Sequence, residues 1–143
     1  MGLDEDLVLL EELRDEGDRQ AEANLLFRIG VTYTKKGDKE EALGAFQEAY
    51  NICRAVGNEE GRFEVVRRVV PLLLDMNKPE EAAAGFQAFK ELAEKRNDLS
   101  ARLEILELES RLFMLQDKPR QAVENLVKAA DICAEHEDWI GRY

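Results

Sequence analysis

The sequence predicts an all-α protein made of helix–turn–helix units that repeat every 40 residues. Two observations carry that expectation: turn-like triplets recur at one offset, and the segments between them place apolar residues at helical spacing. Gly37-Asp38-Lys39, Asn77-Lys78-Pro79 and Asp117-Lys118-Pro119 lie 40 residues apart. The same offset aligns Ala42, Ala82 and Ala122, then Phe46, Phe86 and Leu126, then Ile52, Leu92 and Ile132, and finally Arg62, Arg102 and Arg142. A second turn in each unit falls at Gly57-Asn58, Asn97-Asp98 and Glu137-Asp138, and Gly17-Asp18 extends that series one period back.

The elements follow in order. A helix over 4–15 carries Leu7, Val8, Leu9, Leu10 and Leu13, apolar on more than one side. The first repeat, 18–56, holds helices over 18–36 and 38–56, with Leu26, Ile29, Gly30 and Tyr33 on one face and Ala42, Phe46, Ala49, Tyr50 and Cys53 on the other helix's inner face. Asp38 followed by Glu41 reads as a capping box opening the second helix. The second repeat, 59–95, holds helices over 59–76 and 79–95; the third, 98–136, holds helices over 98–116 and 119–136. Pro79 and Pro119 suit the first helical turn, where a missing N–H costs nothing. A stub over 138–143 begins a further helix in register. All of this forms a single domain over 1–143.

These residues resemble the tetratricopeptide repeat family. Leu26, Ile29-Gly30 and Tyr33 match its helix A, and Ala42, Phe46 and Ala49 match its helix B. The later repeats keep Ala82 and Phe86, then Ala122, Leu126 and Ala129, while their helix A positions diverge. The long period is similar to that of kinesin light chain-type adaptor repeats. The resemblance implies a right-handed α-α superhelix, a solenoid of about three and a half repeats, since one helix pair cannot bury its apolar face alone. Small residues at Gly30, Ala42 and Ala49 allow close helix approach, with Phe46 and Tyr33 filling the space beside them.

Composition excludes several functions. Charged residues make up 36% of the chain and the net charge is −11, which repels nucleic acid and anionic membranes at long range. No run approaches the roughly 18 apolar residues of a membrane span. The segment 1–6 is acidic where a secretory signal would be basic, so the expected location is cytoplasmic. Cys53 and Cys133 share one repeat position with Ala93 between them, which predicts two core thiols and no disulfide. His136 stands alone near a helix end without convergent ligands or an oriented partner, so neither metal binding nor catalysis is expected. No cofactor loop is present, and an enzyme is not expected.

The resemblance implies instead a protein-interaction scaffold, with helix A residues lining a concave groove for a peptide or amphipathic helix. Carried over residue by residue, the groove positions are Asn24, Phe27, Val31 and Thr34; Glu64, Arg67, Pro71 and Leu74; and Glu104, Glu107, Arg111 and Met114. Phe27 and Val31 lie off the core stripe, so they line the groove or pack between repeats. They also occupy places where a chaperone-binding carboxylate clamp would need Lys and Asn, which disfavours that role. Phe27, Leu74 and Met114 offer apolar pockets, and Arg67 and Arg111 charge-specific contacts. Arg62, Arg102 and Arg142 recur with the repeat and read as structural. Pro71 kinks a helical run, either as a tolerated bend or as a device that shapes the groove. The alternative reading is a structural module that self-associates through its terminal helices, including homodimerisation.

Overall fold

The protein is described from a computed structural model that covers the backbone of residues 2–141 and the side chains of residues 2–135. Among the described residues it is all-helical: α1 (Leu3–Glu16), α2 (Arg19–Lys36), α3 (Lys39–Val56), α4 (Glu59–Asp75), α5 (Pro79–Arg96), α6 (Leu99–Leu115) and α7 (Pro119–Gly141). The expected helices are present with ends shifted by at most one residue, except that α7 runs five residues beyond the expected end at 136. No described helix is long and apolar enough to cross a membrane.

Each turn needs one residue in the left-handed region, and the repeat supplies it. Gly17, Gly37 and Gly57 have φ of 77, 85 and 76°, and Asn77, Asn97 and Asp117 have φ of 56, 50 and 57°. Glycine takes this conformation freely, and Asn and Asp tolerate it better than other side-chain-bearing residues. The following N–H then closes the helix, as in Asp38 N to Tyr33 O at 2.9 Å and Lys118 N to Phe113 O at 2.8 Å. Position 137 is the next in this series and holds Glu, a good helix former with no ease in the left-handed region. The turn expected at Glu137-Asp138 is accordingly absent, and α7 continues through it to Gly141 in place of a new helix from 138. Trp139 and Ile140 have side chains outside the described residues, and Arg142 and Tyr143 lie beyond them altogether.

Helix starts depart from expectation in one place. Asp18 and Asp98 accept from Ala21 N and Ala101 N, both at 3.1 Å. Asp38 occupies the same cap position without a side-chain bond, so the anticipated capping box does not form. Its carboxylate still stands beside the positive end of α3.

The chain divides into two compact units, Met1–Leu72 and Leu73–Tyr143, and the division falls within α4, just after Pro71. In the first unit α2 and α3 form the closest pair. Ala23, Leu26 and Ile29 of α2 meet Ala42, Phe46 and Ala49 of α3, all 3% exposed or less. A Cβ on Gly30 would lie 2.6 Å from the Phe46 ring, so the glycine sets how near the helices come. Gly61 does the same for α4 against α3, where a Cβ would lie 2.6 Å from Cys53 Sγ. Helix α1 is tied down by a buried acid: Asp6, 2% exposed, accepts from Arg28 Nη2 at 2.7 Å and Nε at 3.3 Å. Arg14 adds pairs to Glu22 and Glu48 at 3.4 and 2.8 Å.

The second unit builds its core from Phe86, Phe89, Leu92 and Ala93 of α5, Ala101, Ile105 and Leu112 of α6, and Ala122 of α7. Polar groups join α6 to α7 inside it. Ser110, buried, donates to Leu106 O at 2.8 Å and reaches Ala122 O at 3.2 Å. Buried Asn125 donates to Glu109 at 2.9 Å, and Lys90 of α5 pairs with the same carboxylate.

Candidate functional site

Helix A side chains set the chemistry of one cleft in each unit. In the first unit a cleft of about 300 Å³ lies among α2, α3 and the start of α4, with Asn24, Phe27, Glu64 and Val65 in its walls and Cys53 and Gly61 at its base. Phe27 answers the question left open by its sequence position. It is half-buried, with its ring centroid 5.7 Å from that of Phe46, and it still lines the cleft. Arg68 places its guanidinium carbon 5.8 Å from the Phe27 ring, a cation–π arrangement. Asn24 is exposed and accepts from Gln20 at 2.9 Å. Asn58 fixes the rim by donating to Gln20 at 3.1 Å and accepting from Gly61 N at 3.0 Å.

The second unit holds a larger cleft of about 470 Å³ formed by the end of α4, α6 and α7. Leu74, Glu107, Arg111 and Met114 all line it. Leu74, expected to offer an apolar pocket, is 4% exposed and forms part of the floor with Ala122. Met114 at 61%, Leu115 at 46%, Val123 at 58% and Leu126 at 50% exposed make apolar walls. Glu107 and Arg111 stand on the rim, both exposed. Arg111 pairs with Asp75 at 2.9 Å, with both side chains about half exposed. Such a surface pair contributes at most about 1 kcal/mol.

Val31, Arg67 and Glu104 line neither cleft. Arg67 and Glu104 are half-buried and each has an interaction partner within the protein. Arg62 lies over the Tyr50 ring at 5.4 Å and donates to its hydroxyl at 3.2 Å, an intramolecular anchor between α3 and α4. Arg102 has a different setting: with Lys90, Glu94, Lys128 and Glu135 it walls a further cleft of about 480 Å³ among α5, α6 and α7.

The two cysteines part company. Cys53 is buried and Cys133 is exposed, so the expectation of two equivalent core thiols fails at the second. Burial pushes the Cys53 thiol above its usual range, an effect that nearby Arg62 partly offsets. His136 has its side chain outside the described residues, and among those described no three His, Cys, Asp or Glu side chains converge for a metal.

Sequence reasoning missed Ala122 and Leu126 as cleft residues because the repeat register aligns them with the helix B core, and Val123 because it is no part of the repeat pattern.

The model of one family, soluble NSF attachment protein (SNAP), matches residues 15–141. No individually curated protein matches the chain. The match supports a tetratricopeptide-like helical repeat and points to this family, where the 40-residue period had suggested the kinesin light chain type.

Proposed function

The chain belongs to the soluble NSF attachment protein family, and on that premise we propose that it is a protein-interaction scaffold whose second-unit cleft holds another protein. The family consists of helical-repeat adaptors without catalysis. The proposed ligand is an amphipathic helix or extended peptide that inserts an apolar side chain between Met114 and Leu126 and offers a carboxylate to Arg111.

The supporting observation is the convergence of Leu74, Glu107, Arg111 and Met114 on one cleft with a buried apolar floor and a charged rim. Burying one Leu- or Phe-sized side chain there would contribute about 1.5–3 kcal/mol. A rim contact to Arg111 adds specificity more than strength, because both partners keep solvent on one side. The first-unit cleft, with Phe27 in its wall, is a second and smaller place for such a side chain.

Variants Met114→Glu and Arg111→Glu test the proposal. Both positions are exposed, so helix content should be unchanged while capture of the partner is lost. Arg67→Glu, which lies off the cleft, should leave capture intact in any sample that remains folded. Capture by Met114→Glu at the level of the unmodified protein would exclude this cleft as the site.

A further inference from the structure

Repeat register exposes a face on α7 that the corresponding helices lack. Phe46 and Phe86 are each 1% exposed, whereas Leu126 at the same position is 50% exposed. The outer positions differ in kind as well. Exposed Gln47 and Gln87 are answered by Val127, and exposed Arg54 and Glu94 by Ala134. Tyr50 and Lys90 are answered by Ala130. Polar residues at surface positions have thus given way to apolar ones on one helix alone. The result is a stripe of Val123, Leu126, Val127, Ala130 and Ala134, spaced like the seam of a helix pair, with small residues that permit close approach.

Charge selects the occupant. Arg120 flanks the start of the stripe and Asp131 flanks its end, both exposed. Their separation of 11 residues is about three helical turns, so they share one side of α7. An antiparallel second copy of α7 would bring each Arg120 to the Asp131 of the partner subunit, with Leu126 beside the two-fold axis and Val123 against Val127. A parallel copy would oppose like charges and like helix ends. We propose that α7 is the interface of a two-fold homodimer in which this stripe packs antiparallel on its copy. Closed two-fold pairs are the commonest symmetric assembly, and one self-complementary stripe suffices to build one. Val123 and Leu126 also wall the cleft, so occupancy of the cleft and pairing of α7 compete. The inference does not rest on the proposed partner site, which would stand if the chain were monomeric.

Sedimentation equilibrium of the full chain provides the test. A reversible dimer is expected, and Val127→Gln with Ala134→Glu, which install the residues α5 carries, should give a monomer of unchanged helix content. Arg120→Asp or Asp131→Arg alone should weaken the dimer about tenfold or more, and the two together should restore it. Oxidation should cross-link Leu126→Cys in a Cys133→Ser background and leave the unmodified protein uncross-linked. A monomer at every concentration, a charge swap that fails to restore pairing, or ready cross-linking through Cys133 would each overturn the proposal.

Discussion

Gly30 and Gly44 provide the same substitution in two settings, and the structure assigns them opposite signs. Both are helical glycines in the first repeat, so replacing either with Ala gains about 0.5–1 kcal/mol of helix propensity. At Gly44 nothing lies within 4 Å of the new Cβ, so the gain should appear in full. At Gly30 the Cβ would stand 2.6, 2.8 and 2.9 Å from three ring carbons of Phe46. Ordinary carbon contacts lie near 3.5–4.0 Å, so the ring must retreat by about 1 Å. Phe46 is 1% exposed and has nowhere to swing. Overpacking of this kind costs about 1–3 kcal/mol, which offsets the propensity gain and leaves Gly30→Ala less stable by up to about 2.5 kcal/mol. Urea denaturation followed by far-ultraviolet circular dichroism measures both variants. A double-mutant cycle with Phe46→Leu should return most of the Gly30→Ala loss, since the smaller side chain makes room. If Gly30→Ala were as stabilising as Gly44→Ala, the close approach of α2 to α3 would be refuted.

Other outcomes follow from the turns, the buried acid and the buried thiol. Asp117→Gly should stabilise by about 0.5–1 kcal/mol by relieving a left-handed residue, and Gly37→Ala should destabilise by about 1 kcal/mol; thermal melts would show the opposite shifts. Asp6→Ala should cost about 1–3 kcal/mol and speed proteolysis of α1, because it leaves the Arg28 side chain without its buried partner. In a Cys133→Ser background, Cys53 should react with thiol reagents only as fast as the protein opens, since burial both hides the thiol and disfavours its thiolate. Because the folded thiol titrates above the unfolded one, its contribution is present below the unfolded range near about 8.5 and is lost as pH rises through the folded value. Stability of that variant should therefore fall more at alkaline pH than that of Cys53→Ala.

The helical repeat was legible in the sequence because its causes are local. A left-handed residue closes each turn, and apolar spacing defines each inner face, so Gly37, Asn77 and Asp117 reveal both the period and the turn chemistry. The same rule, applied to Glu137, would have foreseen that α7 continues. Ion pairs were not legible, since Asp6 meets Arg28 across 22 residues and no pattern along the chain couples them. The fate of Cys133 and Leu126 was also hidden. Register fixes which face of a helix a residue occupies, while burial depends on whether another helix covers that face. Of the expected groove residues, Leu74, Glu107, Arg111 and Met114 line one cleft, Asn24, Phe27 and Glu64 line another, and Val31, Arg67 and Glu104 line neither. Long side chains such as Arg67 can turn to intramolecular partners, and their direction is settled by neighbours the sequence does not name.

A photo-crosslinker placed at Met114, and separately at exposed Gln87 on α5 of the same unit, tests the adaptor account most directly. The account predicts that a partner protein is captured from Met114, that Arg111→Glu abolishes the capture, and that Gln87 yields little. Capture from Gln87 that equals or exceeds capture from Met114, and that survives Arg111→Glu, would contradict it.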